Sequence, residues 1–282
     1  MVTSWQAKWC ATAAIMLAFS SAASGAIIGF QDGSTCRPLC PTTLTGTIEQ
    51  GDADKLVAWF KAMRFGPVFL VLDSPGGSVG EAIRIAQVVK KLALVVEVAR
   101  DRVCASACFI VFAAGTPRLA SSAELMGGEM RQKWDQSMKV NGKPEKPRGF
   151  VGLHRPFQRN IAAPENSQAK IMKAVTVYLE GQMLPRRLID IMMTRPSNDI
   201  YWLNDDDLEE LGEYPPDIEE YLIQKCRYDR NSLKKAWGNP DFKAILAEQD
   251  EAEKCIENEL NAMQKKGFEE LKNGWTPSQT PM

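Results

Sequence analysis

A serine flanked by small residues, in Cys104-Ala105-Ser106-Ala107-Cys108, lies between a β-rich stretch and the helix-like apolar run Cys108 to Ala114. A strand-to-helix turn is where an acyl-transfer serine often sits, because the turn presents the hydroxyl clear of its own backbone. Such a hydroxyl needs a base. The chain has one histidine, so any Ser-His chemistry must use His154, in Gly152-Leu153-His154-Arg155-Pro156. Upstream, Asp73-Ser74-Pro75-Gly76-Gly77-Ser78 forms a glycine turn whose backbone N–H groups lie near a helix start, where negative charge is stabilised. Taken singly, the histidine is a packed or surface side chain and the glycines a mere turn. Their occurrence together with the serine turn argues for a site.

The elements that must position these residues alternate. Val68 to Leu72 is continuously apolar, as a buried parallel strand is. Val79 to Leu92 then places Ile83, Ile85, Ala86, Val89 and Leu92 on roughly one helical face, and Leu94 to Val98 is a second β-rich run. Before them, Thr45 to Ile48 reads as a short strand, Asp52-Ala53-Asp54 as a cap, and Leu56 to Phe60 as an amphipathic helix. With a further strand at 150–153, the order is α/β with a mainly parallel sheet. Residues 127–149 interrupt it as a polar inserted loop carrying Lys133, Lys139, Lys143 and Lys146, either a flap over a cleft or a tolerated surface insertion. Beyond His154, Asn166 to Leu179 and Leu184 to Met193 have helical periodicity. Thr194 to Asp199 is a polar turn, and Asp205 to Glu213 a short solvated helix with Gly212 at its cap.

Ser74 to Val79, the serine turn at 104–108, Gly152 to Pro156, and Asn198-Asp199 ahead of Trp202-Leu203-Asn204 resemble, in order and interval, the Clp-protease-like serine peptidases of the ClpP/crotonase superfamily, in a secreted variety. The resemblance covers about residues 65–215 and implies a β-β-α spiral over 27–214. It implies Ser106 as nucleophile, His154 as general base and acid, Asp199 as the acid orienting the imidazole, and the N–H groups of Gly77 and Ala107 as the oxyanion hole. Anchored on Trp202-Leu203, the match at Asp199 is off by about one residue, so Asn198 in its place, or a Ser-His dyad, stays open. The insertion also lengthens the interval from Ser106 to His154 beyond that of the cytosolic members. Asp73 is read as a strand-end residue capping the glycine turn.

At 282 residues and 45% hydrophobic content the chain can bury one sizeable core, and a net charge of −1 without a large basic face argues against a nucleic-acid partner. Lys8, the apolar run Trp9 to Phe19 and the small residues to Ala26 read as a cleaved signal peptide, 1–26. The run is shorter than the ~20 residues that span a bilayer, so an uncleaved anchor is the lesser reading. Cleavage would remove Cys10 and leave Cys36, Cys40, Cys104, Cys108, Cys226 and Cys255, an even set suited to disulfides in the periplasm or outside the cell. Cys226 and Cys255, one in each of two predicted helices of a C-terminal extension at 215–282, make a natural pair. The other four could bridge within or between their couples, with a zinc site as the lesser alternative.

The expectation is therefore an exported, ATP-independent peptidase acting on short or unfolded peptides, with no cofactor or metal and a homo-oligomer conceivable. No G-x-x-x-x-G-K-[ST] loop is present to bind nucleotide. Acyl-CoA chemistry of the crotonase kind would leave the Ser106/His154 pair unexplained, and an exported protein meets little coenzyme A. The competing expectation is a catalytically inactive binding or scaffold protein of the same fold, in which a Cys104–Cys108 bridge distorts the serine turn.

Overall fold

Apolar runs that alternate with amphipathic stretches bury themselves as strands covered by helices, and the chain is a mixed α/β protein. The computed structural model describes residues 25–30, 41–63, 69–99, 102–120, 150–157, 167–231 and 241–278. Cys10, Cys36, Cys40, the 127–149 insertion and most of the leader fall outside them.

Strand β2 (Thr42–Thr45) pairs with antiparallel β1 (Ile27–Phe30) on one side and parallel β3 (Phe69–Asp73) on the other. Strands β4 (Val95–Val98) and β6 (Arg118–Ala120) continue the sheet in parallel, giving the order β1-β2-β3-β4-β6. A second sheet has the order β5-β7-β8: β5 (Val103–Ala105) is parallel to β7 (Phe150–Leu153), and β8 (Tyr201–Trp202) is antiparallel to β7. The two sheets meet at Ser74. Its N–H donates to the Val103 carbonyl at 2.6 Å and its carbonyl accepts from the Ala105 N–H at 3.0 Å, so the chain leaving β3 crosses onto β5 just where the glycine turn starts.

Helix α1 (Asp52–Ala62) follows β2, α2 (Val79–Lys91) follows β3, and α3 (Ala107–Ala113) follows β5. The predicted faces are the buried ones: Ile83, Ile85, Ala86, Val89 and Leu92 of the α2 segment join Phe60 of α1 and Phe109 and Phe112 of α3 in one core. Complete burial of each such Leu, Ile or Phe stabilises the fold by about 1.5–3 kcal/mol. Ser78 caps α2, its hydroxyl accepting from the Glu81 N–H at 3.3 Å. Glu81 is itself buried, accepting from the Ala53 N–H at 2.7 Å and pairing with Arg84, which reaches Asp54 at 2.6 Å. The glycine turn is thus anchored at its exit by an ion cluster between α1 and α2.

Two local expectations are corrected. Asp52 does not cap α1; Gly51 stands at the cap with φ 96°. The buried Asp52 carboxylate accepts instead from the N–H groups of Ala26 and Glu49, each at 2.8 Å, and ties β1 to the helix start. Strand β2 also ends at Thr45, and Ile48 makes a lone parallel bridge to Gly77.

The remaining helices among the described residues are α4 (Ser167–Gly181), α5 (Arg186–Thr194), α6 (Asp205–Leu211), α7 (Pro216–Cys226) and α8 (Phe242–Lys272). Helix α6 starts in a capping box between Asn204 and Asp207. Helices α7 and α8 are joined by the Cys226–Cys255 disulfide, with Cα atoms 5.5 Å apart, over a small core of Tyr214, Leu222 and Ile256. The far end of α8 returns to the main core through Phe268 and Leu271. There the Gln264 amide donates to the Ala93 carbonyl at 3.0 Å.

Candidate active site

Backbone geometry singles out Ser106. It has φ 59° and ψ −125°, a region that L-residues with a Cβ rarely occupy and that persists only where the surroundings enforce it. Three contacts do so. The Ser106 N–H donates to the Gly152 carbonyl at 2.9 Å, its carbonyl accepts from the Phe109 N–H at 3.0 Å, and a Cys104–Cys108 disulfide joins the residues on either side, with Cα atoms 5.2 Å apart. A serine ahead of a helix ordinarily accepts from a first-turn N–H; Ser106 makes no such cap, so its hydroxyl is left available.

The glycine turn lies directly on this serine. A Cβ at Gly76 (φ 96°) would stand 2.6 Å from the Ser106 Cβ and 2.9 Å from the Ala107 nitrogen. One at Gly77 (φ 146°) would stand 2.1 Å from the Ile48 carbonyl oxygen. Neighbouring donors are engaged: Ser78 N–H donates to Ile48 O at 2.8 Å, and Gly76 N–H to the Ser74 hydroxyl at 3.1 Å. Among the described residues, no acceptor is recorded for the Gly77 N–H, and Ala107, first residue of α3, has no preceding turn to bond to. Two backbone donors are therefore left over, one opening α3 after Ser106 and one on the glycine turn next to Gly76.

His154 comes to the same edge by register. Val103, Cys104 and Ala105 pair with Phe150, Val151 and Gly152, so Ser106 and His154 each follow the last residue of adjacent parallel strands. Loops at the carboxyl ends of parallel strands are where α/β proteins build sites. The imidazole is 6% exposed, tilted against Phe157 with ring centroids 5.8 Å apart, and its Nδ1 lies 2.9 Å from the Arg155 carbonyl oxygen.

Asp199 is not on the imidazole. Its carboxylate pairs with the Arg195 Nε at 3.0 Å, a charge contact in which the N–H does not point at the oxygen, and its side chain is 53% exposed. The reason is local: the turn that the Asp199 N–H closes on Pro196 O sets the carboxylate beside a cation four residues earlier. No hydrogen bond joins Asn198 to His154 among the described residues. Asp73 does not cap the glycine turn, a role taken by the Ser74 hydroxyl. Asp73 instead pairs with Arg102 at 3.0 Å and accepts from the Val103 N–H at 3.2 Å, tying β3 to the start of β5.

A cluster below the Arg195 turn holds the β8 end of the site. The Tyr201 hydroxyl donates to the buried Asp207 carboxylate at 2.9 Å, Arg187 pairs with the same carboxylate, and the Arg195 guanidinium lies 5.8 Å over the Tyr201 ring. Burial first, then the bond to Asp207, holds the Tyr201 hydroxyl above its ordinary range. Among the described residues, no group of three or more His, Cys, Asp or Glu side chains is disposed to hold a metal, and Cys104 and Cys108 are bonded to each other.

No family model and no curated protein matches the chain. Among solved structures, ClpP1 from Listeria monocytogenes is similar at 15% identity and a TM-score of 0.38, over 61% of this chain and 86% of that one. A variant of the 1510-N membrane-bound stomatin-specific protease is similar at 14% identity and a TM-score of 0.37, over 65% of this chain and 82% of that one. Neither likeness bears on the role of any residue.

What the sequence reading missed is the partner of Nδ1. Every residue has a backbone carbonyl, so no residue type announces one as an acceptor. The only available signal was Pro156, which restricts Arg155 to extended backbone.

Proposed function

We propose that the chain is an exported serine hydrolase with a ClpP-like arrangement, cleaving peptides through an acyl-enzyme on Ser106. The observation that carries this reading is the Ser106 turn: a positive-φ serine with an uncommitted hydroxyl, one strand from His154, with Gly76 of the glycine turn packed directly on it. In the proposed reaction the Ser106 Oγ attacks the scissile carbonyl carbon while His154 Nε2 takes the hydroxyl proton. The oxyanion receives hydrogen bonds from Gly77 and Ala107, each contributing on the order of 3 kcal/mol to the transition state. The C–N bond then breaks, His154 returns the proton to the leaving amine, and water hydrolyses the ester by the same steps in reverse. Asp199 enters this scheme only as the partner of Arg195.

Two disulfides suit an oxidising compartment, and no described helix is long and apolar enough to cross a membrane. Both fit a periplasmic or secreted site of action. Short or unfolded peptides are the proposed substrates, and self-assembly is part of the same proposal.

The test is a fluorophosphonate probe, which phosphonylates only an activated serine, the P–F bond breaking as the O–P bond forms. Wild-type protein is expected to label stoichiometrically and Ser106→Ala not at all. A folded wild type that stays unlabelled would favour the silent binding protein instead.

A further inference from the structure

We infer that the Arg155 backbone carbonyl does the work of the missing acid, holding His154 in the tautomer a serine base needs, and that Pro156 and Gln168 are positioning residues for it. A carbonyl oxygen can only accept. At 2.9 Å from it, Nδ1 carries the ring proton, and the Nε2 lone pair is left to receive the proton of Ser106. The catalytic part of this inference rests on the hydrolase reading; the tautomer does not.

The acceptor is held from several sides. Arg155 precedes a proline, which confines it to extended backbone. Its N–H donates to the Arg195 carbonyl at 3.0 Å, pinning the turn to the C-cap of α5. On the far side, the Gln168 amide, from the first turn of α4, donates to the Pro156 carbonyl. The peptide that accepts from His154 is therefore fixed before and after by two separate helices. Phe157 covers one side of the ring. A carbonyl fixed in this way orients the imidazole as a carboxylate would, but it brings no negative charge to balance the imidazolium. Asp199 is thereby released from any part in the tautomer.

Because the chain has one histidine, long-range proton–nitrogen correlation on 15N-labelled full-length protein reports this tautomer without assignment. At a pH where the ring is neutral, the wild type is expected to show the Nδ1–H pattern, and Asp199→Asn to leave both that pattern and the probe-labelling rate within about twofold. Gln168→Ala and the near-isosteric Gln168→Glu, which lacks the amide donor, are expected to mix the tautomers. They should also slow labelling about 10- to 100-fold, as loss of the hydrogen-bond partner behind a metal-bound imidazole does. Pro156→Ala should act in the same direction. An Nε2–H pattern in the wild type overturns the inference whatever the variants do. So does a loss approaching ~10⁴-fold in Asp199→Asn, the size expected when the acid of a triad is neutralised. An Nδ1–H pattern in protein that never labels supports the tautomer assignment and overturns the hydrolase reading.

Discussion

At the scale of single residues, the site depends on backbone positions as much as on side chains. Gly77 is the sharpest case. An alanine there would need φ 146° and would put its Cβ 2.1 Å from the Ile48 carbonyl oxygen, so the turn must shift and take the N–H donor with it. Gly77→Ala is expected to fold, to bind a peptide inhibitor within a few-fold of wild type, and to lose about 10²- to 10³-fold in labelling rate, as when one oxyanion donor is removed. A rate within threefold of wild type in protein of matched melting temperature would remove Gly77 from the site. The strand-to-helix turn at Ser106, the positive φ of Gly77 and the strand-end place of His154 were legible because each carries a residue-type signature: small neighbours, a glycine pair, a lone imidazole after an apolar run. The pairing of Asp199 with Arg195 was not legible, because the distance along the chain from Trp202 was weighed and the cation four residues earlier was not.

At the scale of elements, the serine turn is a strand, a reversal and a helix of seven residues joined across the reversal by Cys104 and Cys108. Cross-linking so short a loop removes about 2 kcal/mol worth of unfolded-state freedom in the chain-entropy picture. The local effect bears on the proposed chemistry, because the bridge spans Ser106, whose dihedrals are unfavourable. The paired variant Cys104→Ala/Cys108→Ala is expected to stay folded, to melt lower by an amount matching roughly 2 kcal/mol, and to label more slowly than wild type. Faster labelling would mean that the bridge distorts the turn.

Strands β5, β6 and β8 escaped the sequence reading because two or three residues carry no measurable alternation, and pairing alone makes them strands. Strands β3, β4 and β7 and helices α2, α3 and α4 were legible to within a residue or two, since their apolar faces are complete, whereas β1 was missed and β2 was placed three residues late. Helix packing supplies a second test. A Cβ at Gly267 of α8 would lie 2.1 Å from the Lys91 carbonyl oxygen, at the C-terminal end of α2. Gly267→Ala is therefore expected to destabilise by about 1–3 kcal/mol, as overpacked contacts do, despite alanine's better helix propensity. Chemical denaturation giving an equal or higher midpoint would show that α8 does not dock there.

At the scale of the whole molecule, the C-terminal residues were read as an extension without a role, and their packing gives them one. Helix α8 touches the small α7 core at Ile256 and the main core at Phe268 and Leu271, with Arg118 joining the two regions from below. The Arg118 guanidinium donates to the carbonyls of Ala113 at 3.0 Å and Leu211 at 2.9 Å and also to that of Tyr214, closing the ends of α3 and α6. Burial pulls its pKa down to about 10. Cys226→Ala/Cys255→Ala is expected to cost about 2–5 kcal/mol and to raise amide exchange in α7 before it does so in β3. Uniform exchange across both would show that the hairpin and the sheet unfold as one unit.

Under the proposed export and hydrolase activity, the position of the Cys104–Cys108 bridge has a consequence for the chain before it is exported. A chain made where thiols stay reduced would carry Ser106 in an unfastened turn, and oxidation on the far side of the membrane would then act as a safety catch released only on arrival. Protein made without its leader in a reducing cytosol is accordingly expected to label weakly and to gain labelling on oxidative refolding. The gain should persist when Cys226 and Cys255 are replaced and vanish when Cys104 and Cys108 are.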